Sequence, residues 1–398
     1  MRTLLLLLSF WTPILFAQGE IVIRRPGDGV SGFDLTGFSA PSAAGRVFQD
    51  TLRRNLELSG SFRMVPPSGA ELRFVGDAQE SGGQLTVTLQ ILDRASQRRF
   101  GKRYQIGADQ ARTLGRQVAD EILRDLKNLQ GFAQNRLVVV GTRPGVTGKD
   151  LYLVFPDGGD LVQLTRFGRV VVGPRWAPDG ESITYTSFHR NFPDVVRHHL
   201  RTGQLERISS FPGMNAGGAI SPDGRHTALI LSRDGRPELY IRDLRSGQLT
   251  RLTNTPMSAK SSPSWSPDGA RIVFVSGHEG RPHLYIINRN GSGLRRVTTG
   301  GNENVSPDWG RNGLIVFTRR MGRINQTAIL DPQTGNVRLI SPEDANFEEP
   351  TWAPNGRHIA VTRSQGAQSA IYLLDIQGSA PIPLLRDQGN WHMPSWAP

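Results

Sequence analysis

Two hydrophobic rhythms divide the chain. Over its last two thirds the apolar residues form short β-branched runs broken by tight turns, as in Arg271-Ile272-Val273-Phe274-Val275 before Gly277-His278-Glu279-Gly280. Runs of this length, bounded by glycine and polar residues, predict short strands. They also recur. Trp176-Ala177-Pro178-Asp179-Gly180 is followed by Ile220-Ser221-Pro222-Asp223-Gly224, Trp265-Ser266-Pro267-Asp268-Gly269, Trp309-Gly310-Arg311-Asn312-Gly313, Trp352-Ala353-Pro354-Asn355-Gly356 and Trp396-Ala397-Pro398, at intervals of 44, 45, 44, 43 and 44 residues. Leu164-Thr165, Ile208-Ser209, Leu252-Thr253, Val297-Thr298, Ile340-Ser341 and Leu384-Leu385 keep the same period. Four units place Leu151-Tyr152, Leu239-Tyr240, Leu284-Tyr285 and Ile371-Tyr372 between these marks. Three markers in phase predict a repeat architecture.

Each unit reads as four strands. The first ends at the tryptophan, and Pro-Asp-Gly then turns the chain, because proline presets φ, aspartate bonds the local backbone and glycine accepts positive φ. An apolar strand, the Leu-Tyr strand and a last strand ending at Leu-Thr complete it. Four strands in about 44 residues predict a β-propeller blade. Strand material at 136–141, 150–155 and 161–165 lacks an innermost partner, and 393–396 is an innermost strand without a blade. The two fragments predict six blades over 132–398, closed by the C-terminal strand, which removes the sheet edges an open array would expose.

Residues 18–131 follow another pattern. Ala44, Phe48, Leu52 and Leu56 predict a helix over 42–58 with Gly60 past its end, and Leu114, Val118, Ile122 and Leu126 predict a second over 108–129, stopped by Gly131. Strands are expected at 20–24, 62–65 and 72–75. Strict alternation of Leu85, Val87, Leu89 and Ile91 predicts a strand over 84–93, paired as a hairpin with 99–106. The expected fold class is therefore an α+β N-terminal domain of two helices on a small mixed sheet, followed by an all-β six-bladed propeller. A joint as short as 132–135 implies that the two touch.

The first seventeen residues stand apart, with Arg2, an apolar run from Leu4 to Leu8, then Phe10, Trp11, Ile14, Leu15 and Phe16 up to Ala17. This reads as a secretory signal peptide over 1–17, cleaved after Ala17. The run is too short for the roughly 20 residues a membrane helix needs. Composition then removes chemistry. With Cys 0, disulfides, thiolate metal sites and a cysteine nucleophile are excluded. Gly 45 and Pro 26 fit a fold rich in tight turns. A net charge of +12 raises nucleic acid as a partner. However, the arginines are spread along the chain and only Lys102, Lys127, Lys149 and Lys260 are lysines. Residues 18–131 carry 16 basic and 13 acidic side chains, against 30 and 22 in 132–398. The excess on the propeller reads as a bias toward an acidic protein partner, or as arginine-rich composition, and not as a nucleic-acid footprint.

Catalytic motifs are missing. Neither Gly-x-Ser-x-Gly nor His-Glu-x-x-His occurs. Gly145-Val146-Thr147-Gly148-Lys149-Asp150 lacks the first glycine and the hydroxyl residue of a phosphate loop and reads as a strand connection. The adjacent His198 and His199 point to opposite faces of a strand, so no metal spacing arises. No cofactor and no metal are expected. The loops entering each innermost strand remain: 170–174, 214–218, 259–263, 303–307, 346–350 and 390–394. Since every blade is wound alike, all emerge at one end. Their mixture of apolar, aromatic and polar residues suits protein recognition.

The order of signal peptide, α/β domain and six blades with Ser-Pro-Asp-Gly or Ala-Pro-Asp-Gly resembles the TolB family, the periplasmic propellers of the bacterial Tol-Pal system. The segment Asp50-Thr51-Leu52-Arg53-Arg54-Asn55-Leu56-Glu57-Leu58-Ser59-Gly60-Ser61-Phe62 is similar to the family's helix and Ser-Gly-x-Phe turn. Leu89-Gln90-Ile91-Leu92-Asp93 resembles its central strand, and Pro394-Ser395-Trp396-Ala397-Pro398 its C-terminus. The resemblance implies a non-enzymatic, monomeric adaptor in the periplasm. It implies binding to the peptidoglycan-associated outer-membrane lipoprotein Pal over the propeller mouth, coupling to the inner-membrane protein TolA through the N-terminal region, and support of outer-membrane integrity and constriction during division. Carried over by motif, Met214, Gly217 and Ser261 would contact Pal, with Met214 standing where the family often has histidine. Asn215, Asn304, Phe347, Trp391 and His392 in the same loops join the candidate set, and Glu20, Ile21, Val22, Ile23 and Arg24 form the candidate coupling segment. Two rivals remain. A propeller hydrolase or sugar lyase would place histidines and carboxylates with perturbed pKa values in the channel, and an electrostatic binder of anionic polymer would depend steeply on salt.

Overall fold

The structure is a computed structural model that describes residues 29–146, 148–190, 192–255, 258–387 and 389–398. The expected signal peptide and the strand expected over 20–24 lie outside the described residues.

The N-terminal region comprises β1 (Ser31–Ser39), α1 (Ala43–Leu58), β2 (Phe62–Met64), β3 (Leu72–Ser81), β4 (Gln84–Asp93), β5 (Arg98–Gly107) and α2 (Ala111–Lys127). The sheet runs β2-β1-β3-β4-β5 and is mixed, with β1 parallel to β2 and β3 and the remaining pairs antiparallel. Both helices were anticipated, and Ser42 caps α1 by accepting from the Gly45 N–H at 3.0 Å. Strand β1, which lies between β2 and β3, was not. Its alternation of Phe33 and Leu35 breaks before Phe38, because the ladder with β3 shifts between Asp34 and Gly37. The β3 strand also continues to Ser81 rather than stopping at Val75. A short 3-10 turn, Ala108–Gln110, precedes α2, which ends at Asn128 in the left-handed conformation, three residues before the expected glycine stop. Phe33, Phe48, Leu52, Phe74, Leu89, Val118 and Ile122 form the core between sheet and helices.

The described residues beyond this region form six four-stranded sheets. Blade 1 combines β6 (Leu137–Thr142), β7 (Asp150–Val154) and β8 (Val162–Gln163) with an innermost strand from the C-terminus, Asn390–Trp396, so the ring closes as the two fragments predict. The innermost strands of blades 2 to 6 are Val171–Trp176, Asn215–Ile220, Lys260–Trp265, Glu303–Trp309 and Asn346–Trp352. The Leu-Thr mark lies just past several fourth strands. There the Thr hydroxyl latches strand four to strand three: Thr165, Thr253 and Thr298 Oγ1 accept from the N–H of Leu151, Leu239 and Leu284 at 2.9 to 3.0 Å. The first two donate onward to the buried carboxylates of Asp150 and Glu238.

Every innermost strand is bulged at the same depth. In five of them the residue before a proline has positive φ: Gly173, Ser262, Ser306, Glu349 and Met393. In blade 3 the pair Gly217-Gly218 takes this conformation without a proline. A Cβ on Gly217 would lie 3.1 Å from the Ala228 carbonyl oxygen, so space and φ both call for glycine there.

The α/β region packs on the end of the propeller where the Pro-Asp-Gly turns lie, called the bottom here. Arg116, with its side chain 2% exposed, forms a bidentate pair with Asp157 at 2.8 and 2.9 Å, reaches Asp160 at 2.7 Å, and stacks on Phe155 at 3.7 Å. Burial works to raise the Asp157 pKa, and the Arg116 bonds and charge outweigh it, holding the carboxyl below the ordinary range. Arg357 grips Asp375 and donates to Ser61 Oγ at 3.1 Å. Gly60 leaves room for this pair, since a Cβ would stand 2.7 Å from Asp375 Oδ2. Phe132 in the short joint sits against His358 and Trp396, with ring centroids 4.6 and 5.5 Å away.

Candidate functional site

The opposite end, the mouth, carries all six loops that enter the innermost strands. Their candidate residues separate into two groups. Met214 is 43% exposed, Ser261 is exposed, and Gly217 and His392 are half-buried. Asn215, Asn304, Phe347 and Trp391 are fully buried, contrary to their reading as contact residues, so their side chains are not presented to a partner. The reason is local. Asn215 Oδ1 accepts from Ser209 Oγ and the Phe211 N–H at 2.6 and 2.9 Å, and its amide donates to the Phe211 carbonyl, which makes it the staple of its own loop. Asn304 bonds His283 Nδ1 at 2.8 Å and the Gly300 carbonyl at 3.1 Å. Trp391 stands edge-on to Tyr152 at 5.1 Å and covers Gly141, whose missing Cβ would fall 2.4 Å from its ring. Phe347 belongs to the core of blades 5 and 6. Lys260 is likewise turned inward, paired with the buried Glu238 at 3.1 Å. A polar or aromatic residue at the start of an innermost strand therefore holds the loop, and the exposed surface falls one residue before or after it.

Below the mouth, Pro174, Pro263, Pro350 and Pro394 line a vestibule of about 240 Å³ with the bulge residues. A second vestibule of about 250 Å³ opens at the bottom between the tryptophans. Between them lies a waist built by the residue before each tryptophan. Ser264, Asp308, Thr351 and Ser395 accept from the next blade's Trp N–H at 2.8 to 3.5 Å, which stitches neighbouring blades together. Arg175 occupies the same position in blade 2 and reaches Asp308 at 3.3 Å and the Pro307 carbonyl at 3.4 Å. Sequence reasoning passed over this ring, although the varying residue before each recurrent tryptophan is visible once the period is known.

The channel offers little to chemistry. Asp308 is engaged by Arg175, Thr351 and the Trp352 N–H. Burial pushes the Glu349 carboxyl up, and its Oε2 is held by Thr362 Oγ1 and the Met393 N–H at 2.9 Å each. Ser369 Oγ and His392 Nε2 share a hydrogen bond of 2.9 Å, but Ser369 is 6% exposed within its sheet, and nearby Glu348 is occupied by Asn325 and Ser364. That pairing ties blade 6 to blade 1. Among the described residues no group of three or more histidines and carboxylates is placed to hold a metal ion.

An α/β region set on the bottom of a six-bladed propeller, leaving a mouth of exposed loops, defines a two-part β-propeller protein of the repeat class. The family described as TolB beta propeller domain matches residues 124–398. The Tol-Pal system protein TolB of Pseudomonas aeruginosa is 38% identical over 96% of this chain and 89% of its own length, and that of Pseudomonas entomophila is 40% identical over 85% and 79%. The crystal structure of TolB from Acinetobacter baumannii superposes with a TM-score of 0.83 at 24% identity, covering 95% of this chain and 99% of that one. The chain belongs to the TolB family.

Proposed function

We propose that this protein is the periplasmic adaptor of a Tol-Pal system, a binding protein and not an enzyme. In this reading it is exported, loses its signal peptide near Ala17, and docks the globular domain of a Pal-like lipoprotein over the propeller mouth. Residues Glu20 to Arg24 then couple it to a TolA-like inner-membrane protein, and the assembly supports outer-membrane integrity and constriction during division. The observation that carries the docking is the contrast of the two ends: the α/β region occupies the bottom, while Met214 and Ser261 stand exposed at the mouth beside Gly217 and His392. A recess ringed by exposed side chains is a surface that a partner can cover and desolvate, the setting in which binding hot spots cluster.

The test is binding of the mature chain to the globular domain of the lipoprotein from the same genome. Met214→Arg combined with Ser261→Arg should abolish binding and leave the melting temperature unchanged, because both side chains are exposed. Phe347→Arg is unsuited to this purpose, since it buries a charge in a blade core. Failure of the unaltered protein to bind would end the reading.

A further inference from the structure

A propeller mouth has a rotational problem. Its six innermost strands are near-repeats, so a partner placed over the channel meets six similar surfaces, and the asymmetry that selects one orientation must come from the loops. One sector differs in kind. Loops 143–149 and 166–170 of blade 1 and 188–193 of blade 2 carry Arg143, Lys149, Arg166, Arg169 and Arg190 and not one carboxylate. The acids that follow these loops in the sequence, Asp150 and Asp194, are buried; the first is bound by Thr165 and the second faces Arg207 at 3.7 Å, while Lys149 lies within electrostatic reach of Glu349. The same loops expose Val146, Val170, Phe188 and Phe192, and these are the two exposed phenylalanines among the described residues, at 42% and 58%. Their backbones join them into one surface. Phe188 N–H donates to the Val170 carbonyl at 3.0 Å, Lys149 N–H to the Arg169 carbonyl at 3.0 Å, and the Phe167 and His189 rings lie 5.2 Å apart. Lys149 is also close enough to His392 to help burial lower its pKa, so the sector is continuous with the channel rim. The loop from blade 5 to blade 6 is opposite in character and exposes Glu343 and Asp344.

We infer that the sector of blades 1 and 2 is the orienting half of the docking face, taking an acidic protein surface with an apolar recess for Phe188 and Phe192. This rests on the docking reading above and adds to it which part of the rim sets the partner's rotational register. Arg166, Arg169 and Arg190, exposed in loops that carry no carboxylate, favour an acidic partner and steer its approach. Two exposed phenylalanines supply anchors of the kind that carry binding energy. A second copy of this chain would set cations against cations.

The experiment measures affinity and salt dependence for the globular domain of the same-genome Pal-like lipoprotein, using the mature chain and two variants. Arg166→Glu with Arg169→Glu and Arg190→Glu is expected to weaken binding by about a hundredfold and flatten its salt dependence. Phe188→Ser with Phe192→Ser is expected to weaken it by about tenfold or more, mainly through faster dissociation. All altered side chains are surface groups, so melting temperatures should match the parent. If the parent binds and both variants stay within twofold of it, the inference fails while the docking reading survives. If the parent does not bind, both fail. Binding of the parent to phosphatidylglycerol vesicles, lost in the variants while lipoprotein affinity is unchanged, would reassign the sector to a membrane surface and overturn the inference.

Discussion

The two ends of the propeller are made from the same repeat, yet one is covered by the α/β region and the other is left open to solvent. At the bottom the Pro-Asp-Gly turns are nearly alike from blade to blade, and the α/β region is fixed there by the buried ion pair of Arg116 with Asp157 and by Arg357, which Asp375 holds in place to donate to Ser61. At the mouth the loops differ in length, charge and exposure, and Met214, Ser261, Phe188 and Phe192 face solvent. Repetition keeps the ring closed and stiff; departure from it supplies the surface. The difference also sorts residues that a sequence motif groups together, since Asn215 and Met214 are neighbours of which only the second is available to a partner.

The comparison breaks most readily at the bottom. Replacing Arg116 by Ala leaves Asp157 charged and unpaired in a buried joint, and a loss of about 3 to 5 kcal/mol is expected in urea unfolding. At the mouth, Trp391→Ala should cost about 3 to 5 kcal/mol. Met214→Ala, in a neighbouring loop of the same rim, should stay within about 0.5 kcal/mol. A mouth that behaved uniformly in this pair would erase the division between holding and exposed residues.

The joint should also respond to acid. His358 is fully buried beside Phe132, Asp375 and Arg357, and burial lowers its pKa from 6.5 to about 4. The unfolded chain takes up a proton in that window that the folded chain does not, so stability present above pH 6.5 is lost as pH falls toward 4. The shift corresponds to about 3 kcal/mol. His358→Gln should remove that part of the pH dependence, read as the change in urea midpoint between pH 7 and pH 4. Smaller again, Thr253→Val removes the latch that serves Leu239 N–H and Glu238, and a loss of about 1 to 3 kcal/mol is expected.

The period of 44 residues made the propeller, its blade count and its closure legible before any coordinates, because turn chemistry and the tryptophan recur in phase. The helices of the N-terminal region were equally plain from their apolar spacing. Strand β1 was hidden, since its bulge at Asp34 to Gly37 destroys the period of two on which strand reading depends. The mouth loops were legible as a group, and the exposure of their side chains less so residue by residue. Loop position follows from topology, but whether Asn304 or Phe347 points into the blade depends on hydrogen bonds within the loop and on packing against strands of the same and the adjoining blade. The basic sector of blades 1 and 2 was diluted in a uniformly arginine-rich composition until the fold brought its three loops together.

The central claim is that the mouth is the surface of recognition and the bottom is structural. Hydrogen exchange of the mature chain with and without the lipoprotein's globular domain tests it most directly. Protection is expected in the loops around Met214, Ser261 and Phe188, with the turns at Asp157 and Arg357 unchanged. Protection confined to those bottom turns, with the mouth loops exchanging as before, would contradict the account.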